Sequence, residues 1–210
     1  MNRLVALRVG GAPSPWQTIG LRTTDDGCRL ADVDLTISGE APGLLGWTIS
    51  ADRDAVVDID GIPTVLVSTT AERPGTSRIK DQTIVGLDHV VVNTSDQDRT
   101  CAAFESVLGL GVRREREVGN GVIQRFLKID NTIIEIVSGP HVTTDHASLW
   151  GLVVSVDDLF DLAEELGERV VSPPKKAVQP GRYISTVRPE VGLGTAVALM
   201  TPHVPGMATR

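Results

Sequence analysis

The stretch from Leu87 to Gly139 decides the fold. It opens LDHVVVNTSDQDRTCAAFESVLGLGV (87–112) and closes VIQRFLKIDNTIIEIVSG (122–139). A short apolar run, Val90–Val92, leads into Thr94-Ser95-Asp96, residue types that cap helix N-termini. Cys101, Phe104 and Leu108 then fall at i, i+3 and i+7, the spacing of a core-facing stripe. Gly109 suits the left-handed position that ends a helix. Beyond it the period drops to two. Val112–Glu117, Val122–Ile129 and Thr132–Val137 read as strands, separated by Gly119-Asn120-Gly121 and by the two-residue turn Asp130-Asn131. The order is β-α-β-β-β.

The theme repeats along the chain. LWGLVVSVDDLFDLAEELG (149–167) is a second strand–helix opening, with Leu159, Leu162, Ala163 and Leu166 as its stripe and Gly167 as its stop. Strands are expected around Arg169–Val171 and Arg182–Arg188, and TAVALMTP (195–202) echoes TIIEIVSGP. In this register Gly151 takes the place of His89, and Ala198 that of Glu135. Towards the N-terminus, RLVALRVGG (3–11) reads as a strand and Ser14-Pro15 as the cap and first residue of a short helix, Trp16–Ile19. ADVDLTISG (31–39) then aligns with NTIIEIVSG, with Leu35 at the Glu135 position and Ala6 near that of His89. LLGWTIS (44–50) and VVDIDGIPTVLVS (56–68) supply one more opening and ending, with Gly46 matching Gly151. Ala51–Ala55 leaves no room for a helix between them. The polar stretch Thr69–Gln82, with its Pro and Gly, reads as a linker. The chain therefore divides into a truncated module pair (1–70), a linker (71–83) and a full pair (84–203, modules 84–140 and 149–202).

Bulk properties narrow the function. The 210 residues are 41% hydrophobic and 22% charged, enough for one large or two small cores. A net charge of −7 argues against nucleic acid or an anionic membrane as partner. No apolar run spans a bilayer, and the N-terminal run is too short for a signal peptide. The two cysteines, Cys28 and Cys101, make no disulfide framework and fit a reducing, cytoplasmic setting.

The module order, with His89 on the first strand and Glu135 inside the apolar run of the last, resembles the vicinal oxygen chelate superfamily. That group holds glyoxalase I, the fosfomycin- and bleomycin-resistance proteins and the extradiol dioxygenases. The resemblance implies an α+β fold of paired βαβββ modules, forming curved mixed sheets with helices outside and an open cavity. It implies a small-molecule ligand or substrate, one divalent metal ion held by His89 and Glu135, and Glu135 doubling as a catalytic base. Two of the family's four ligand positions are Gly151 and Ala198. A retained metal then needs help from His141 or His146, or from a second chain in a homodimer.

The turn at Asp130-Asn131 pairs Ile129 with Thr132, hence Phe126 with Glu135 and Gln124 with Val137. Directly opposed residues share a face, so Gln124 and Phe126 join Glu135, while Leu127 and Ile134 face the helix. Val91 shares the face of His89. His89, Val91, Gln124, Phe126 and Glu135 thus form a candidate pocket wall, apolar with a few polar groups. The small Ala198 leaves room opposite it. Arg182, after a Pro- and Gly-containing crossing in VQPGRYISTVR (178–188), is placed to meet a ligand carboxylate or phosphate. Trp47 and Trp150 read as core or module-interface residues. The same residues also fit a hydrogen-bonded core histidine and a solvated sheet face. Three functions remain open: a metal-dependent lyase, isomerase or oxygenase; a metal-free small-ligand binding protein of resistance type; and a degenerate module used for dimer or partner contacts.

Overall fold

A computed structural model describes residues 2–68 and 84–203; the expected linker lies outside the described residues. The chain runs β1 (Arg3–Gly10), α1 (Pro13–Thr18), β2 (Gly27–Leu30), β3 (Val33–Ser38), β4 (Gly43–Ala51), β5 (Ala55–Ile59), β6 (Ile62–Ser68) and β7 (Ile84–Asn93). It continues α2 (Gln97–Leu108), β8 (Val112–Gly119), β9 (Val122–Ile129), β10 (Thr132–Ser138), β11 (Ser148–Val156), α3 (Leu159–Leu166), β12 (Lys175–Lys176), β13 (Tyr183–Thr186) and β14 (Ala196–Met200). The fold is α+β, with two curved mixed sheets. One has the order β2-β3-β1-β4-β6-β5, the other β12-β13-β14-β11-β7-β10-β9-β8. The first sheet is built from strands of residues 3–68, the second from strands of residues 84–200. The compact units divide the chain differently: among the described residues, 2–8, 44–68 and 89–151 form one, and 9–43, 84–88 and 152–203 the other.

In the first unit α2 forms where the caps require it. The Asp96 carboxylate accepts the Arg99 N–H at 3.0 Å, and Gly109 closes the helix at φ 65°. Its buried positions are Gln97, Thr100, Phe104 and Leu108. Cys101 sits half-buried on the flank, not at the centre of the stripe as expected. Two polar residues can turn inwards because each is satisfied: the Gln97 amide donates to the Ile123 and Ile136 carbonyls, both at 2.9 Å, and Thr100 bonds the Asp60 carboxylate. Burial also pushes the Cys101 thiol pKa up, against an opposing pull from Arg125.

Only three residues separate β4 from β5, so that module has no helix of its own. Its inner face rests on α2 instead. Trp47 of β4 meets Phe104 edge-on, ring centroids 5.9 Å apart, and donates its indole N–H to Thr64. Asp60, in the β5–β6 turn at φ 52°, takes hydrogen bonds from Thr100 and from Arg99 Nε at 2.7 Å. Strands β9 and β10 keep the expected register, Ile129↔Thr132, Leu127↔Ile134, Phe126↔Glu135 and Gln124↔Val137.

In the second unit the short first helix begins earlier than expected. Ala12 is the cap residue and makes no side-chain bond, because Pro13 takes the first helical position and draws Ser14 into the first turn. Around Arg169–Val171 there is a single bridge, Val171↔Val187, in place of a strand. Ser172-Pro173-Pro174 follows, and two consecutive prolines remove the N–H groups a ladder needs. Helix α3 buries Leu159, Leu162 and Ala163 as the stripe requires. Among the described residues no helix is long and apolar enough to cross a membrane.

Candidate functional site

Strands β7 and β10 run parallel, with Ile133 opposite His89 and Glu135 opposite Val91. His89 and Val91 therefore share the face of Glu135, opposite the one that carries α2. The His89 ring points to Glu135, not to Phe104: Nε2 lies 3.3 Å from Oε2. Both residues are nearly buried, at 7% and 9% exposure. A carboxylate in the run Ile133-Ile134-Glu135-Ile136-Val137 must find polar partners, and the neighbouring strand supplies another. The Gln124 amide donates from Nε2 to Glu135 Oε1 at 2.5 Å. Its carbonyl in turn accepts from Arg116, through Nε at 3.0 Å and through Nη2. The two neighbours fix the amide's orientation, since one offers only donors and the other only acceptors. Arg116 also lies over the Phe126 ring, 5.7 Å from its centroid. Four side chains thus stand in one series, His89–Glu135–Gln124–Arg116, the last two links hydrogen bonds and the first a 3.3 Å contact.

Arg116 was not among the residues that the sequence singled out. Counting back from Gly119-Asn120-Gly121 places Glu117 beside Gln124. The structure places Arg116 there, because the register shifts between Glu117 and Gly119 and leaves Val118 as the extra residue. A second shift, between Val112 and Arg114, sets Arg114 opposite Phe126. The sign of the charge beside the site is thereby reversed.

The remaining sequence candidates lie elsewhere. Ala198 packs in an apolar cluster with Val153 and Met200, and Gly151 is buried. Arg182 does not stand at a sheet rim with its guanidinium open. It is 6% exposed, pairs with Asp88 through Nη2 and donates from Nε to the Thr201 carbonyl at 2.8 Å. A buried guanidinium held this way supports the fold first. His146 is exposed, with Nδ1 4.0 Å from Asp60, and His141 is exposed as well. Trp47 is a core residue, whereas Trp150 is 52% exposed.

A divalent metal does not fit these residues. The 3.3 Å between His89 and Glu135 would suit two corners of a coordination sphere. Among the described residues, however, no group of three or more His, Cys, Asp and Glu side chains could hold an ion. The next polar group at Glu135 is an amide NH2, a donor that a cation repels, and the arginine behind it is positive. What the arrangement offers is a carboxylate fixed by two partners in a largely apolar wall, able to accept a hydrogen bond or a proton.

Residues 86–187 match the model of the Glyoxalase/Bleomycin resistance protein/Dioxygenase superfamily. No curated protein matches the chain. Among solved structures, a mutant of 4-hydroxymandelate synthase from Streptomyces coelicolor superposes with a TM-score of 0.60 at 13% identity, over 85% of this chain and 80% of that one. Methylmalonyl-CoA epimerase from Mycobacterium tuberculosis gives a TM-score of 0.47 at 18% identity, over 58% of this chain and 91% of that one. At such identities the likeness concerns the fold alone. In the synthase it reaches beyond the residues that match the family model.

Proposed function

We propose, for a chain that belongs through residues 86–187 to the Glyoxalase/Bleomycin resistance protein/Dioxygenase superfamily, that it binds a small molecule at Glu135 and His89 without a resident metal. One observation carries this reading. The series His89–Glu135–Gln124–Arg116 engages the Glu135 carboxylate with a hydrogen-bonding amide and an imidazole, and among the described residues no third His, Cys, Asp or Glu completes a metal set there. Val91 and Phe126 supply the apolar contact surface beside it. Glu135 is the acceptor for a ligand O–H or N–H, Gln124 holds the carboxylate in one orientation, and His89 flanks the other oxygen. If the bound molecule is also transformed, Glu135 is the group placed to take its proton.

The test combines metal analysis with ligand screening, on protein purified without a histidine tag. Well under one metal ion per chain is expected. Compounds that raise the melting temperature of the parent should fail to raise that of Glu135→Gln. One equivalent of metal that disappears in His89→Ala would instead restore the metal-dependent reading.

A further inference from the structure

The face that carries Glu135 is basic, although the protein as a whole carries −7. Its residues follow from the registers. Arg114 stands opposite Phe126, which stands opposite Glu135; Arg116 stands opposite Gln124. Lys128 and His89 are both partners of Ile133. Across β8, β9, β10 and His89–Asn93, the charged side chains on this face are therefore Arg114, Arg116, Lys128 and the single carboxylate of Glu135. Glu115 and Glu117 fall on the other face, where Glu115 pairs with Arg125. Among the described residues Arg116 has no carboxylate partner. It is half-buried, and its contacts are the neutral Gln124 carbonyl and the Phe126 ring. Nη1 is left to donate. Arg114 and Lys128 are exposed and make no ion pair among the described residues.

We propose that this face selects small organic anions, carboxylates or phosphate monoesters. The anionic group is anchored on Arg116 within the positive field of Arg114 and Lys128, and a donor group of the same molecule reaches Glu135. The inference rests on the reading of Glu135 as a binding group. Arg116 is suited to the anchor because its stem and two of its nitrogens are already held, so little freedom is lost when an anion docks. The Gln124 amide between anchor and carboxylate sets the distance at which a ligand must carry its two groups. The expected ligand is therefore small and bifunctional, with an anion at one end and an O–H or N–H at the other.

Calorimetric titration of the full chain at low salt with 4-hydroxyphenylacetate, 4-hydroxyphenyl phosphate and the neutral 4-hydroxyphenylacetamide tests this. The parent should bind at least one anion about tenfold or more tighter than the amide. Arg116→Gln should bring anion and amide within about twofold of each other, while Arg113→Gln, at the register shift, should leave the preference intact. Whichever anion binds tighter identifies the source of the charge, and either outcome supports the inference. Amide binding that Glu135→Gln abolishes, with no preference for anions, overturns the anion inference and leaves the Glu135 reading standing. Anion binding unchanged in Arg116→Gln, or no binding of any probe at millimolar concentration, also overturns it. Amide binding unaffected by Glu135→Gln removes the Glu135 reading as well.

Discussion

Replacing Glu135 with leucine separates a group kept for a ligand from a group kept for the fold. The residue lies at 9% exposure in an apolar run, so a leucine there removes roughly 2 kcal/mol worth of apolar side chain from water. The substitution also relieves the desolvation of a nearly buried carboxylate, several kcal/mol. Against this stand the 2.5 Å hydrogen bond from Gln124, roughly 1.5–3 kcal/mol, and the loss of the carboxylate contact at the His89 ring, roughly 1–3 kcal/mol. Gln124 is half-exposed and can turn to water, so its loss falls at the low end. The terms nearly cancel. Glu135→Leu should unfold in urea within about 1 kcal/mol of the parent, while its binding of screened ligands disappears. The adjacent Ile136→Ala, at a fully buried position, should lose about 2–5 kcal/mol. Urea denaturation followed by circular dichroism at pH 7 measures all three proteins. A loss above about 3 kcal/mol in Glu135→Leu would show that the carboxylate holds the sheet together, and the site reading would fail.

Three further outcomes follow from the geometry. Arg182→Ala removes the guanidinium that pairs with Asp88 and should cost about 3–5 kcal/mol in the same assay, part of it recovered by adding Asp88→Ala; a cost under 1 kcal/mol would contradict the pairing described. Asp60→Ala should be less stable than Asp60→Asn by about 1–2 kcal/mol, because asparagine adopts φ 52° at lower cost than alanine and can still accept from Thr100; equal values would refute this argument. The Cys101 thiol, its pKa raised by burial, should react with a disulfide reagent at pH 8 about tenfold or more slowly in the native protein than in urea. Equal rates, measured in a Cys28→Ser background, would mean that the thiol is open.

The sequence shows most of the stretch from β7 to β10 because its signals are local. Capping residues, a glycine stop and a two-residue turn act within a few positions, and they set α2, the β9–β10 hairpin and the face shared by Gln124, Phe126 and Glu135. Three features escaped. The inward side of α2 is turned towards Thr100 and Gln97 by acceptors on Asp60 and on two strand carbonyls, which no helical periodicity contains. The register shift at Glu117–Gly119 adds one residue to one strand only, and period-two counting then assigns a glutamate where an arginine stands. Arg182 looked available because its partner lies 94 residues away, and an ion pair that distant leaves no pattern in the sequence.

The missing helix between β4 and β5 has a consequence for how this gene can be cut. One helix serves two modules: Phe104 supports Trp47, and Thr100 and Arg99 hold Asp60. The Asn131 amide meanwhile bonds both backbone groups of Leu4, like a short extra rung of sheet. Residues 86–187, the part that matches the family model, are thus not a unit of assembly by themselves. A fragment begun near residue 84 would uncover the flank of α2 that faces Trp47 and leave Thr100 facing solvent. The N-terminal half made alone would lose the Phe104 ring that meets the Trp47 indole. Neither piece can be moved as a cassette unless the indole and the aspartate travel together with the helix that receives them.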